Sequence, residues 1–385
     1  PAKPMGEDES FRWIAEHGGD ETKLFVLETS TPSIFSDISF GDRLKELYPD
    51  AFVMLVGTHP SALPEETIMN CKAVDALARH EFDYIVRDVA RALRDGNNPF
   101  AVNGLTYRNE DGTPASNPDY PYIADLDEIP FAAPFIKRHL NHRDYFFAAS
   151  AYPEIQIFTG RGCPARCAFC VYPQTMHGHR YRVRSVENVI AEIEYIRDNF
   201  PDVKEIVIED DTFTINKKRT MAFCDEMISR GLHRRFRWLC NARVNLDYET
   251  MKKMREAGCK LIIPGIESGS QEILNNIRKG TTIEQVREYV AAAKKAGLAI
   301  HACYMVGNKG ETRETMQQTL AFALELNTDT AQFYPLLPFP GTEHWRWYKE
   351  AGYIKGDYSD YVKEDGTINS LVELPDISSE EMVAF

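Results

Sequence analysis

The sequence has no apolar run approaching the roughly 20 residues that are needed to span a bilayer, which excludes an ordinary membrane-spanning helix. Its first residues, PAKPMGEDESFRW, are acidic and lack the apolar segment of a secretory signal peptide. An apolar fraction of 43% and a charged fraction of 26% are typical of a globular protein. We therefore expect a cytoplasmic protein whose contact with membranes, if any, is peripheral.

Positive charge and cysteine are also scarce. The formal net charge of -14 argues against a broad electrostatic grip on nucleic acid, so we expect no nucleic-acid partner. Eight cysteines in 385 residues do not indicate a disulfide framework, and clustered cysteines are then better explained as metal ligands or redox groups. Three of them do cluster, in the segment GRGCPARCAFCVYPQTMHGHRYR at residues 160–182.

Residues 1–95 alternate short apolar runs with polar loops and helical stretches. KLFVLETSTPSIFSD and AFVMLVGTHPSALPEETI each predict a buried strand, a polar loop and a helix, and VDALARHEFDYIVRDVARAL predicts a third such unit. The alternation favours a Rossmann-like parallel sheet that binds its ligand at the carboxyl ends of the strands. Because only three strands are visible and the chain begins at Pro1, we expect this domain to be incomplete at its N-terminus.

Beyond this domain the pattern predicts an irregular connector over residues 96–153, with one small hairpin around LTYRNEDGTPA. Residues 154–345 carry six strand-like runs, all but the last followed by a helical stretch, which predicts a partial (β/α)6 barrel in an α/β fold. The predicted strands are EIQIFTG, EIVIED, FRWLCNA, KLIIPGIE, AIHACYMVG and TAQFYPLLP. Residues 346–385 form a C-terminal extension that we expect to be truncated, because its last residues begin a capped helix.

Cys163, Cys167 and Cys170 follow the first predicted barrel strand with the spacing CxxxCxxC. Thiolates so close together on one loop can bind a soft metal centre. A structural zinc site needs a fourth ligand, for which His177 and His179 are the nearest candidates. A four-iron four-sulfur cluster held by three cysteines instead leaves one iron open, which suits catalysis. We favour the cluster over zinc.

This spacing after the first strand of a βα barrel, with Phe169 just before the last cysteine, resembles the radical S-adenosylmethionine (SAM) superfamily. The resemblance implies that the three cysteines hold a four-iron cluster, that SAM chelates its open iron and that Phe169 packs near the adenine. It also implies reductive cleavage of SAM to methionine and a deoxyadenosyl radical, which removes a hydrogen atom from the substrate. A reductant such as a flavodoxin or a ferredoxin is then an expected partner.

Polar residues end the next three predicted strands, in EDDTF, CNARVN and GIESGSQ. In the resembling superfamily these positions face SAM. A helix cap for EDDTF and solvated loops for the other two remain open as alternatives. Besides Phe169, the candidate SAM contacts are Asp210, Asp211, Thr212, Asn241, Arg243, Glu267 and Ser268.

A Rossmann-like domain ahead of such a barrel resembles the cobalamin-binding branch of the superfamily, which includes the anaerobic magnesium-protoporphyrin IX monomethyl ester cyclases. The resemblance implies cobalamin as a further cofactor, with the first two strand loops beneath its corrin ring. The motif Asp-x-His-x-x-Gly is missing, so we expect no histidine to reach cobalt through it. The candidate contacts are Thr29, Ser30, Thr31, Gly57, Thr58 and His59.

Within this branch the stretch TGRGCPARCAFCVYPQTMHGHRYRVRSVENV is most similar to the hopanoid-biosynthesis radical SAM enzymes that form the cyclitol head group. The resemblance implies a small-molecule or lipid substrate beside the cysteine loop. The alternative for this stretch is a solvated basic loop. The candidate substrate contacts are Gln174, His177, His179, Arg180, Tyr181 and Arg182.

Three functions follow from these resemblances. The favoured one is a radical SAM enzyme that rearranges or couples a sugar or lipid head group of hopanoid or isoprenoid type. The alternative is methyl transfer through methylcobalamin, which releases S-adenosylhomocysteine. A cobalamin or metal sensor is disfavoured, because a sensor needs only one ligand site and polar residues end several strands. No further catalytic residue is assigned.

Overall fold

The computed structural model describes residues 5–363 and 366–385. The strands are β1 (Leu24–Thr29), β2 (Phe52–Gly57), β3 (Ala76–Ala78), β4 (Leu105–Arg108), β5 (Pro114–Ser116), β6 (Glu154–Ile157), β7 (Gly160–Arg161), β8 (Arg182–Val183), β9 (Glu205–Ile208), β10 (Arg237–Ala242), β11 (Cys259–Glu267), β12 (Ala299–Val306) and β13 (Thr330–Pro335). The helices are α1 (Glu7–Glu16), α2 (Ile34–Leu47), α3 (Thr58–Ala62), α4 (Pro64–Asn70), α5 (Asp83–Asp95), α6 (Ala132–His139), α7 (Val171–Thr175), α8 (Val186–Asn199), α9 (Lys217–Ser229), α10 (Leu232–Arg235), α11 (Tyr248–Glu256), α12 (Gln271–Asn276), α13 (Ile283–Ala296), α14 (Arg313–Leu326), α15 (Glu343–Glu350) and α16 (Ser379–Ala384).

The first sheet has the strand order β1-β2-β3-β4-β5. Its first three strands are parallel, as the alternation of apolar runs and helices predicts, and β2 is buried along its whole length. The hairpin β4-β5 extends this sheet in antiparallel fashion. The predicted boundary at residue 95 therefore differs from the structure, where the first sheet continues to Ser116. The reason is that Leu105 and Thr106 are buried against β3, where Arg79 donates hydrogen bonds to both.

The second sheet is an open barrel of six parallel strands in the order β13-β12-β11-β10-β9-β6. All six strands predicted from the sequence are present, and the mixed α/β fold with a partial barrel is confirmed. Its core packs the helices against the sheet through fully buried side chains such as Phe213, Phe223 and Trp238, whose rings meet edge to face. Ser185 caps α8, as predicted, by accepting a hydrogen bond from the backbone of Asn188.

The rest of the connector and the C-terminal extension join these two units. Helix α6 packs beside α8, where the backbone of Ala133 donates to the Glu192 carboxylate. In the extension, the Tyr358 ring meets His59 of the first domain edge to face, and Tyr361 is buried. The carboxyl ends of both sheets face each other across one cavity. In the part of the chain that the structure describes, no helix combines the length and the apolar character needed to cross a membrane.

Candidate active site

The three clustered cysteines lie on the loop between β6 and α8. All three are free thiols; Cys163 and Cys167 are buried, and Cys170 caps α7. Hydrogen bonds within the loop fix its path, because the Cys170 N–H donates to the Cys167 carbonyl and His179 Nδ1 lies 3.2 Å from the Cys163 carbonyl. Gly162 has a φ of 82°, and a Cβ there would stand 2.3 Å from the Arg180 carbonyl oxygen. The loop shape therefore requires glycine at this position.

The donor set fits a multi-iron cluster better than a single metal ion. Over residues 5–363 and 366–385, no three His, Cys, Asp or Glu side chains are placed to hold one ion together. In a cluster each thiolate binds a different iron atom, so the thiols need not converge on one point. Three cysteines on one loop therefore suit a cluster that is held by three cysteines. His177 and His179, the candidates for a zinc ligand, direct Nδ1 to Asp211 and to backbone carbonyls.

Burial and a nearby cation set the chemistry of these thiols. Burial raises the pKa of Cys163, and it raises the pKa of Cys170 to about 12 with a further contribution from Cys167. Arg243 places Nη1 at 3.6 Å from Cys167 Sγ, and its positive charge opposes the rise in the pKa of Cys163. Because thiolates are the ligands of iron, loading this site must release protons.

The two aspartates that follow β9 point in different directions. Asp210 is fully buried and accepts three hydrogen bonds, from the backbone and hydroxyl of Thr159 and from the backbone of Gly160. Burial raises its pKa, which these donors oppose. The Asp211 carboxylate accepts from the Gly162 N–H and lies 3.1 Å from His177 Nδ1. Both residues line the cavity, but only Asp211 is partly exposed there, whereas Asp210 is buried and holds the loop in place.

Thr212 is buried, and its hydroxyl has no hydrogen-bond partner among the described residues. Thr212 stands at the N-cap position of a short 3-10 turn, Phe213–Ile215, without accepting a hydrogen bond from it, and Asn216 caps α9. At the end of β10, Asn241 lines the cavity and donates to the Asp210 carbonyl. Arg243 donates to the Lys279 carbonyl as well as approaching Cys167.

The end of β11 carries a buried ion pair that the sequence did not reveal. Lys279 Nζ lies 2.6 Å from Glu267 Oε1, and both side chains are almost fully buried. Lys279 also stands 5.9 Å from the centre of the Phe169 ring, next to Cys170. Ser268 is fully buried and its hydroxyl is paired with Thr319, so it supports the loop from behind. In the sequence, the one indication of this ion pair is that Lys279 follows Glu267 by 12 residues.

Of the six candidate substrate contacts, only His177 lines the cavity. Gln174 bridges the Cys170 carbonyl and the Glu343 N–H, His179 braces the cysteine loop, and the Tyr181 hydroxyl donates to the Phe213 carbonyl. Arg182 is buried in an ion pair, and Arg180 is exposed. Most of the candidate substrate contacts therefore hold the cysteine loop in its conformation.

The cavity between the two sheets has a volume of about 850 Å³. Four of the six candidate cobalamin contacts line it, namely Thr29, Ser30, Gly57 and Thr58. Thr31 and His59 do not: they are buried, and His59 Nδ1 lies 3.1 Å from the Thr31 hydroxyl. Burial lowers the pKa of His59 to about 4. A Cβ at Gly57 would stand 2.2 Å from the Thr29 carbonyl oxygen, so the close approach of β1 and β2 at the cavity floor requires glycine.

Two bidentate ion pairs join the first domain to the cysteine loop. Glu81 binds Arg182 at 2.6 and 2.7 Å, and Asp83 binds Arg161 at 2.7 and 3.0 Å. Sequence reasoning missed both acids, although they follow β3 as the other site residues follow their strands. Glu209 was missed in the same way; it lines the cavity, and burial, with the charge of Asp210, raises its pKa.

Sequence comparisons agree with this geometry. Residues 157–323 match the model of the Radical SAM superfamily. An uncharacterized methyltransferase of Pyrococcus horikoshii is 34% identical over 326 residues, which cover 83% of this chain and 68% of that protein. The anaerobic magnesium-protoporphyrin IX monomethyl ester cyclase of Rubrivivax gelatinosus is 29% identical and is matched over 80% of this chain and 55% of its own length. The hopanoid C-3 methylase of Methylococcus capsulatus is 23% identical, over 80% of this chain and 57% of that enzyme.

Among solved structures, the radical SAM methyltransferase TsrM from Kitasatospora setae, with cobalamin and a [4Fe-4S] cluster bound, has a similar fold. The TM-score is 0.75 at 17% identity, covering 97% of this chain and 79% of TsrM. The chain thus spans about two thirds of its Pyrococcus relative and little more than half of the cyclase. The matched segment contains all three clustered cysteines, and together with 34% identity to the Pyrococcus protein it makes this chain a member of the radical SAM superfamily of enzymes.

Proposed function

We propose that this enzyme is a cobalamin-dependent radical SAM methyltransferase acting on a small molecule. The observation that carries the proposal is the cavity of about 850 Å³ beside the cysteine loop, which the carboxyl ends of both sheets line. A space of this size gives a large ring cofactor room next to a cluster on Cys163, Cys167 and Cys170. The Pyrococcus relative and TsrM are both named as methyltransferases. They favour methyl transfer over the head-group rearrangement that the sequence resemblance had put first, and a lipid substrate has support only from the hopanoid methylase.

When bound, the cluster would supply an electron to SAM and cobalamin would carry a methyl group. The chain's own residues prepare the space for both. Arg243 holds positive charge beside Cys167, and Lys279 neutralises Glu267 so that no unpaired charge is buried there. Asp211, Thr212, Asn241, Arg243 and Glu267, with Phe169, remain our candidate SAM contacts, whereas Asp210 and Ser268 act as positioning residues.

The cavity wall also carries a group that can accept a proton. Asp211 accepts the Nδ1 proton of His177, so Nε2 is the ring atom that can take up a proton whenever the imidazole is neutral. Because His177 lines the cavity, a substrate bound there can lose a proton to Nε2. On the opposite wall, Thr29, Ser30, Gly57 and Thr58 are the proposed contacts of cobalamin. Thr31 and His59 support that loop from behind.

The experiment is an anaerobic reconstitution with iron, sulfide and cobalamin, followed by incubation with SAM and a strong reductant and by mass detection of the products. We expect S-adenosylhomocysteine and deoxyadenosine from the wild type, and neither from Cys167→Ala. Deoxyadenosine without S-adenosylhomocysteine would favour rearrangement over methyl transfer. Neither product from wild type with a full cluster would contradict the proposal.

A cavity variant tests the cobalamin site separately. Thr58→Trp fills space at the cavity wall, so we expect the protein to retain less cobalamin by its visible absorption after gel filtration. Thr330→Trp adds the same ring at an exposed position of β13 and should retain cobalamin as the wild type does. Equal retention by both variants would place cobalamin elsewhere.

A further inference from the structure

A second concave surface lies at the opposite end of the barrel, where the strands begin. Its volume is about 810 Å³. One glutamate, Glu256, stands among its lining residues, against a histidine and six lysine or arginine side chains. We call this surface the basic cavity. Its six lysine and arginine residues are Lys204, Arg234, Arg235, Arg237, Arg255 and Lys260.

These positive charges have no close counter-ions. Within residues 5–363 and 366–385, no carboxylate lies within 4.0 Å of any of the six cationic groups. Arg235 donates to the carbonyls that end α8, which leaves its charge in place. Burial lowers the pKa of Lys260, the neighbouring Arg255 and Arg237 lower it further, and Glu205 opposes them. In a chain with a net charge of -14, a concave surface with six cationic side chains and one glutamate favours binding of an external anion.

The segment that contributes Tyr152 to the basic cavity also carries exposed apolar side chains. Tyr152, 46% exposed, is one of its lining residues, and its hydroxyl donates to the Arg143 carbonyl. Arg143 in turn binds Asp202, just before β9, which anchors this segment at the same end of the barrel. The segment presents Phe146, 70% exposed, together with the exposed side chains of Leu140 and Tyr145.

We propose that this end of the barrel docks on an anionic lipid surface, where the basic cavity takes phosphate headgroups and Phe146 and Tyr152 enter the interface. Basic side chains beside exposed aromatic rings are the combination that binds peripheral proteins to anionic membranes. A free phosphate would use the charges and leave the rings without a role. Docking at this end also leaves the catalytic cavity open, because that cavity lies at the other end of the strands. The proposal does not depend on which reaction the enzyme catalyses.

Co-sedimentation of the whole chain with vesicles tests it. We expect binding to vesicles of phosphatidylcholine with phosphatidylglycerol, and little binding to phosphatidylcholine alone. Each basic residue at such a surface contributes about fivefold in affinity, so Arg234→Glu with Arg237→Glu should weaken binding at least about 20-fold. Lys72→Glu with Lys218→Glu makes the same change of net charge at exposed positions outside the basic cavity and should bind as the wild type does.

A second pair of variants tests the contribution of the exposed apolar side chains to vesicle binding. Phe146→Ser should weaken vesicle binding several-fold, whereas Leu324→Ser, which removes an equally exposed side chain on α14, should not. Unfolding midpoints measured alongside exclude misfolding as the cause. Absence of binding to the anionic vesicles at low salt would overturn the proposal. So would equal effects of the two serine variants, since the rings would then have no role at the membrane.

Discussion

The two ends of the barrel differ in how their charged side chains are paired. At the carboxyl end almost every buried charge has a partner: Glu81 binds Arg182, Glu267 binds Lys279, and Asp210 accepts three hydrogen bonds. At the amino end, six cationic side chains and one glutamate line a concave surface, and none of the six has a carboxylate within 4.0 Å among the described residues. In the sequence, the basic and acidic residues of both ends are scattered along the chain. Only the fold shows which of them form pairs.

The difference indicates what each end is built for. A fixed network of paired charges holds side chains in one arrangement and spares cofactors and substrate the cost of reorganising them. Unpaired like charges repel one another and cost stability, which an external anion recovers on binding. The paired end is therefore expected to be stiff and the unpaired end to respond to its surroundings. The following substitutions test that contrast.

The largest effect is expected from Glu81→Gln. It leaves Arg182, whose side chain is 5% exposed, without its carboxylate partner. Breaking a buried ion pair on one side costs about 3–5 kcal/mol, which urea unfolding would measure as a lower free energy of unfolding. As a control, Glu7→Gln removes a carboxylate from the exposed pair with Arg43 and should cost less than about 1 kcal/mol. Similar losses in both variants would mean that burial does not distinguish the two pairs.

A comparison of Asp210→Asn with Asp211→Asn comes next. Asparagine replaces one accepting oxygen of the carboxylate by an amino group, which is a donor. At position 210 this donor would face the donors of Thr159 or Gly160, so at least one hydrogen bond is lost. We expect the free energy of unfolding to fall by about 2–3 kcal/mol for Asp210→Asn and by about 1 kcal/mol for Asp211→Asn, which accepts one backbone hydrogen bond and faces the cavity. Greater loss in Asp211→Asn would reverse the structural and ligand-facing roles of the two residues.

His59 makes the paired end sensitive to pH. Its pKa is about 4 in the folded protein because it is buried, whereas it is about 6.5 in an unfolded chain. Below pH 6.5 the unfolded chain binds a proton that the folded protein does not, so stability falls as the pH is lowered towards 4. The contribution reaches about 2 kcal/mol at pH 5. Urea unfolding from pH 7 to 5 should show a weaker pH dependence for His59→Gln than for the control, His139→Gln, an exposed histidine. Equal pH dependence would mean that His59 can be protonated in the folded state.

The fold was predictable from local patterns wherever neighbouring residues decide the outcome. Alternating apolar runs and helices predicted all six barrel strands, and Ser185 predicted the start of α8. The hairpin β4-β5 was assigned to a connector because its membership in the first sheet depends on pairing with β3, about 30 residues earlier in the chain. Local patterns contain no information about which strand edge a hairpin will join.

The site was predictable in its residue types and less so in its contacts. The resemblance to the radical SAM superfamily pointed to Asp211 and Asn241, and the structure places both at the cavity wall. Which of two adjacent aspartates is partly exposed at the cavity depends on the backbone direction after the strand. Arg182 was assigned to substrate because its partner, Glu81, lies 101 residues away in sequence. Long-range pairs of this kind decide whether a basic residue binds a ligand or braces a loop.

The smallest change in stability is expected at the amino end of the barrel. It is also the most direct test of the difference between paired and unpaired charges. Arg234→Gln removes one exposed charge from the basic cavity and relieves repulsion, so stability should rise by about 0.3–0.5 kcal/mol at low salt. The gain should vanish near 1 M salt, where the screening length is about 3 Å. Arg43→Gln, from an exposed ion pair, should instead lower stability slightly at low salt. Thermal unfolding at two salt concentrations measures both. A loss of stability in Arg234→Gln would mean that this arginine has a counter-charge after all, and the amino end would then be paired like the carboxyl end.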